Sequence, residues 1–486
     1  MNKIQFIVLS FSFILHTTSA QKSMDSIHIN QDFSIFENIL KEAHPSLYEY
    51  CSEDSLNTAF YTTKESLGNG LSDIDLYKKM LKITSMVKDG HLQVFAPTSF
   101  KTDQYYFPLI LKIINTEFYT DTEEFNIPLG SKITKINNKR TSKILEDLKK
   151  YVPSDGYNIS KKYRGIESRF GQYFAYEYGI NQKFTIEYIE PNGSKKNKEL
   201  LAQSFTEVNL RNTKRSSYFY KYHKKEKGFD FFNSFINNKN PFVYYKKNLN
   251  TAVLVVNSFE LDTQTFKSKL INIFNEIRKK KTQHLIIDIR RNDKGFRANA
   301  VQLYAYLSKN TFKQITSTFV ASLSIPQREY AKRVFLNEKE FLKDKFNNHP
   351  IYDGWKLTFD DLETMMRANK NRFEGKVYVL TSGTTFSAAS SFALNAKNDP
   401  DIILIGEETG GGYYCSNLGF PVYYEFPNSK ITMIMSMEKM NFYTKEKSIP
   451  RGSGIIPDRK ILMNINDLID GKDRDLDYIF RLIKGE

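Results

Sequence analysis

Ser387 and His91 are the residues whose type and surroundings could do chemistry. Ser387 follows the apolar run Lys376–Thr381 through a stretch of small residues and stands where a helix should begin. A serine on such a strand-to-helix turn presents its hydroxyl and leaves backbone N–H groups pointing outward, which suits a nucleophile. Serine is also a favoured helix N-cap, and Ser390 and Ser391 are rivals one turn further on. A serine nucleophile needs a base. His91, in Asp89-Gly90-His91-Leu92, and His44, beside Pro45, are the candidates. An imidazole titrates near neutrality and can take a serine proton.

Several separated motifs together resemble peptidase family S41, the tail-specific and tricorn-like proteases. Ser387-Ala388-Ala389-Ser390 precedes Gly406-Glu407-Glu408-Thr409-Gly410 at the spacing of that family's serine segment, and a G-x-x-P-D element stands at 454–458. Asp89-Gly90-His91 is similar to the family's D-x-H element, which favours His91 over His44. Asp288-Ile289-Arg290-Arg291-Asn292-Asp293-Lys294-Gly295 resembles the D-L-R-x-N-x-G-G loop that supplies oxyanion N–H groups. The resemblance implies an acyl-enzyme on Ser387 with His91 as general base. It implies an oxyanion site from Ala388, Asn292, Lys294 and Gly295, and substrate binding along Gly410, Gly411 and Gly412. The expected substrate is a peptide or protein, with no metal or organic cofactor.

The chain departs from the family at three places. Gly412 occupies the position of the lysine in Ser-Lys members, so the base must be a histidine or the site is inactive. Gly90 and Arg451 stand where tricorn-like members have a serine and a glutamate, so the residue orienting His91 is unassigned; Asp89 is too close in sequence to be suitable and Glu446 is a distant choice. Lys294 replaces a usual glycine, where a side chain limits positive φ. These departures favour a second reading, a catalytically inactive S41-fold protein that binds a peptide or an apolar small ligand. An esterase is a third, against which stands the lack of a G-x-S-x-G elbow.

The elements that must position these residues follow from pattern. The composition, 40% hydrophobic and 26% charged over 486 residues, is that of a globular chain long enough for two to four domains. Residues 4–16 are apolar after Lys3 and end near Thr18-Ser19-Ala20, which reads as a signal peptide (1–20) for export to a periplasm, cell surface or medium. No later run is long enough to span a bilayer, so no stable membrane insertion is expected. The net charge of +15 reads as a solvated basic surface, and no nucleic-acid module accompanies it. Cys51 and Cys415 are the only cysteines, too few for a cysteine zinc site; an exported protein could pair them, though two lone cysteines so far apart are more often free thiols.

Helical periodicity over 21–98 predicts a helical N-terminal domain. Strand patterns at 106–114, 132–136 and 183–189 predict a β-rich middle domain at 99–205, and the 128–139 segment resembles a PDZ element. Residues 206–245 read as a linker or surface excursion. From 246 to 486, strands at 251–256 and 285–289 alternate with helices at about 263–279 and 297–307, an α/β core. The family resemblance makes this a ClpP/crotonase-like core of ββα units.

Overall fold

The computed structural model describes residues 23–98, 100, 105–218, 241–334, 346–348, 353–357 and 365–486. The leader expected at 1–20 lies outside them. Three helices open the fold: α1 (Ser26–Ala43), α2 (Glu53–Glu65) and α3 (Asp73–Val87). Each starts on a side-chain cap, from Asp25, Ser52 and Ser72, which satisfies an N–H the first turn leaves open. They bury one apolar face, including Phe33, Phe36, Phe60, Met80 and Ile83. Strand β1 (Gln93–Phe95) follows directly, so the turn carrying His91 is held between α3 and β1.

The middle region is an antiparallel sheet of β2 (Leu111–Ile114), β3 (Glu117–Thr120), β4 (Lys132–Ile136), β5 (Lys139–Arg140), β6 (Lys183–Ile189) and β7 (Lys195–Leu201). Two helices join it, α4 (Thr141–Leu148) and α5 (Ser160–Tyr178). The strand pattern at 106–114 resolves into β2 alone, with Tyr106 bridging Gln203. After α6 (Phe205–Arg211), Arg215 turns inward and pairs with buried Asp121 at 2.7 Å.

The core is a six-stranded sheet in which β9 (Thr251–Val255), β10 (His284–Asp288), β15 (Lys376–Thr381), β16 (Ile402–Gly406) and β19 (Arg459–Lys460) run parallel, with β8 (Phe242–Lys246) antiparallel at the edge. Every residue of β9 is buried, as expected of a parallel strand covered on both faces. Helix α7 (Thr263–Lys279) is capped by Asp262 and buries Phe266, Leu270, Ile273, Phe274 and Ile277, a 3.6-residue stripe. Helix α8 (Arg297–Ala305) packs beside it, and α9 (Ala388–Lys397) packs against α8. The small residues of α9 allow burial nearly all round.

A third, mostly antiparallel sheet comprises β1, β11 (Ile315–Val320), β12 (Ala331–Val334), β13 (Phe346–Asn348), β14 (Trp355–Leu357), β17 (Cys415–Glu425) and β18 (Thr432–Phe442). The pairing of β1 with β18, Gln93 opposite Ile434, fastens the N-terminal region to the core. The chain closes with α10 (Ile465–Asp470) and α11 (Arg474–Lys484). Among the described residues no helix is long and apolar enough to cross a membrane.

Candidate active site

Ser387 stands immediately before α9 with φ 55° and ψ −126°. A side chain with a Cβ rarely adopts positive φ, and such backbone strain concentrates at functional sites. Its side chain makes no capping bond, so the helix-cap role that its residue type suggested is not the one it plays. Ser390 is buried and its Oγ donates to the Thr385 carbonyl at 2.9 Å. Ser391 is buried as well. Ser387 is the partly exposed serine of the three.

His91 lies in a tight turn. Its N–H donates to Asp89 Oδ1 at 2.8 Å, and the preceding Gly90 N–H donates to Asp155 Oδ1 at 2.7 Å. A Cβ at Gly90 would sit 2.7 Å from Phe386 Cζ and 2.8 Å from Asp155 Oδ1, so glycine is required there by close approach. The imidazole stacks on the ring of Phe386, the neighbour of Ser387, with centroids 4.5 Å apart.

The group that orients His91 is a relay the sequence reading does not contain. Ser416 Oγ donates to Asp155 Oδ2 at 2.7 Å and lies 3.4 Å from His91 Nδ1. With its one proton committed to the carboxylate, this hydroxyl can only accept from Nδ1–H. That assigns the Nδ1–H tautomer and leaves a lone pair on Nε2. Nε2 is buried with no hydrogen-bond partner among the described residues. Asp155 is held in turn by the N–H groups of Gly90 and Gly412.

The rival His44 is buried. Its Nδ1 accepts from Ser46 N–H and its Nε2 lies 3.1 Å from Asp89 Oδ2, so it serves as a donor that holds Asp89. Burial works to raise the Asp89 pKa, but the His44 hydrogen bond and charge, the His91 charge and a bond from Asn417 outweigh it and hold the carboxyl below its ordinary range. Glu446 pairs with Ser448 and Lys397 and has no bond to His91. Arg451 pairs with Glu49.

Burial is the largest influence on His91 and lowers its pKa; Asp155 and Asp89 oppose this and Lys161 adds to it. Lys161, which the sequence reading also missed, lies with Nζ 2.7 Å from the Phe386 ring centroid and its stem against Gly410. Burial carries its pKa down to about 7 against the pull of Asp155, Asp293 and Asp89.

The loop after β10 is pinned from within. Asn292 is fully buried; its side chain donates to the Val256 carbonyl, and its own carbonyl accepts from Phe386 N–H at 3.0 Å. The left-handed residue is Gly295, at φ 123°, and a Cβ there would fall 2.1 Å from Phe259 C. Lys294 does not adopt positive φ, so the side chain at that position does not strain the loop. Its amine pairs with Glu260 and its N–H turns toward Asn292 Oδ1. Asn292 N–H is likewise spent on the Ile289 carbonyl. Ala388 heads α9, where an N–H has no intrahelical partner. Arg290 forms a buried cluster with Asp288, Asp473 and Asp475.

Gly410, Gly411 and Gly412 pack inward: a Cβ on them would meet Gly383 O, Ser390 Oγ and Cys415 O at 2.6, 2.6 and 2.3 Å. Asp89, His91 and Asp155 bring ligand atoms within 4.8 Å of one another, as a metal site would. Their carboxylates already accept from His44, Asn417 and the His91 N–H, and from Gly90, Gly412 and Ser416. Cys51 and Cys415 are both free thiols.

An α/β core with a strained serine at a helix start and a half-buried histidine stacked on the preceding residue is the architecture of a serine-type hydrolase. Residues 250–461 match the model of peptidase family S41. Solved structures share the fold: "mature CPAF complexed with lactacystin" is 15% identical, with 95% of this chain and 99% of that chain covered at a TM-score of 0.62. A "cpaf s499a mutant" is 14% identical, with 95% and 97% covered at 0.63. No curated protein matches the chain.

Proposed function

We propose that this chain is an exported serine endopeptidase. Ser387 Oγ attacks a peptide carbonyl as its proton passes to His91 Nε2. The imidazolium that forms is stabilised through Nδ1–H, Ser416 and the Asp155 carboxylate. The Ala388 N–H takes the developing oxyanion, while the Asn292 and Lys294 N–H groups stay committed within their own loop. His91 then returns the proton to the leaving amine, and water clears the acyl-enzyme by the reverse sequence. The observation that carries this reading is the His91–Ser416–Asp155 relay, which leaves His91 with a bare Nε2 while its ring stacks on Phe386, the neighbour of the strained Ser387. The S41 family match and the leader-like residues 4–16 support peptidase chemistry and export.

The test is intact mass after a fluorophosphonate probe, which needs no known substrate. A single adduct absent from Ser387→Ala and retained in Ser390→Ala is expected. An adduct lost only in Ser390→Ala would move the nucleophile.

One observation favours the inactive binding protein. Among the described residues no hydrogen bond joins Ser387 to His91, and Phe386 covers the imidazole face. The absence of an adduct in any variant would select that reading.

A further inference from the structure

A cavity of about 280 Å³ lies behind the His91 turn, between α3, β1 and α5, and neither Ser387 nor Phe386 lines it. Its wall carries a connected cluster of tyrosines. Tyr151 stacks on Tyr173 at 5.4 Å and Tyr77 meets Tyr176 edge-on at 5.6 Å. Two polar groups on the same wall are incompletely matched. Ser154 is 2% exposed, and its buried Oγ has no hydrogen-bond partner. Lys162 Nζ donates to the carbonyls of Lys149 and Val152 at 3.1 and 2.9 Å, and no carboxylate pairs with it among the described residues.

Lys162 is half-buried, and a cation held partly out of water without a counter-ion is costly. A buried hydroxyl without a partner forfeits a hydrogen bond. An aromatic wall offers π faces to a flat or apolar body. We propose that this cavity binds a small organic carboxylate with an aromatic or apolar body. The carboxylate head accepts from Lys162 Nζ and Ser154 Oγ, and the body lies among Tyr151, Tyr173 and Tyr176. Burial, with Lys149 and Lys88 nearby, lowers the Lys162 pKa to about 8, so the head-group attraction is strongest below that pH. The site stands apart from Ser387, and its binding is read without any catalytic assay.

The test uses the purified full chain with 3-phenylpropanoate and its neutral counterpart 3-phenylpropan-1-ol, by calorimetry and ligand-observed NMR at pH 7. The acid should saturate with Kd on the order of 1 mM or tighter, and the alcohol should bind at least about tenfold more weakly. Lys162→Met should erase that difference, Ser154→Ala should reduce it, and Tyr173→Leu should weaken both ligands. Thermal unfolding of each variant establishes that it folds, and Ser154→Ala carries the test if Lys162→Met does not. Equal binding of acid and alcohol, or acid binding unchanged in the folded variants, overturns the proposal. So does the lack of saturation up to roughly 10 mM, which marks a hydrated cavity.

Discussion

The imidazole of His91 lies flat on the ring of Phe386, with 4.5 Å between centroids and 23° between planes. Phe386 is the residue before Ser387, and its N–H is anchored to the Asn292 carbonyl. One side chain thus joins His91, the turn carrying Ser387 and the loop after β10. Such stacking contributes about 0.5–1.5 kcal/mol beyond buried area.

If the ring holds His91 Nε2 away from Ser387, a smaller aliphatic should release it. Phe386→Leu is expected to label with fluorophosphonate at least about threefold faster, from the loss of roughly 1 kcal/mol of stacking. Slower labelling in a folded Phe386→Leu protein would show instead that the ring positions the base.

Ser416→Ala removes the hydroxyl between His91 Nδ1 and Asp155. The imidazole loses its tautomer restraint and the support for its positive charge. Peptidase or labelling rate should fall roughly 10²-fold, with a small change in the unfolding midpoint. An unchanged rate would remove Ser416 and Asp155 from the proposed relay.

The pH profile has a definite sign. Because the His91 pKa is lowered, the base stays neutral below the ordinary imidazole value of about 6.5, and the acidic limb of kcat/KM should lie below it. Lys161 contributes to that lowering, so Lys161→Met should move the limb to higher pH while Lys161→Arg should not. Lys161 also affects stability. Its folded pKa of about 7 lies below the unfolded value of about 10.4, so the unfolded chain binds more protons between them and stability rises with pH there. Lys161→Met should therefore stabilise the fold at pH 6 and lose that advantage as pH approaches 10, measured by urea unfolding.

Arg290 is read as structural. Its guanidinium binds Asp288, Asp473 and Asp475, joining the end of β10 to the start of α11. Arg290→Met leaves buried carboxylates unpaired and should cost about 3 kcal/mol or more in unfolding free energy. A loss of labelling without a loss of stability would place Arg290 in the chemistry instead. Asp475 sharpens the test: burial raises its pKa to about 7, with Asp473 adding and Arg290 opposing. A carboxyl so raised destabilises the fold as pH climbs through 7, so Asp475→Asn should stabilise above that pH.

Much of this protein is legible in local pattern. The unbroken apolar runs of β9, β10, β15 and β16 mark strands covered on both faces, and the Asp262 cap with its apolar stripe gives α7 its observed bounds. The surroundings of Ser387 and His91 single them out, because small residues at a strand-to-helix turn and a glycine before a histidine are local signals. The long strands β17 and β18, which carry Ser416 and hold β1, are not in the sequence reading. Nor is the glycine at 295, rather than 294, as the left-handed residue of its loop. Asp155 and Ser416 were invisible for a physical reason. Ser416 meets His91 across 325 residues and Asp155 across 261. Periodicity records which face of one element is buried, while a hydrogen bond between distant turns leaves no periodic trace. The sequence by itself determined the core strands, most helices and the candidate pair Ser387 and His91; only the tertiary packing that brings Ser416 of β17 and Asp155 to the His91 turn decided what holds that imidazole.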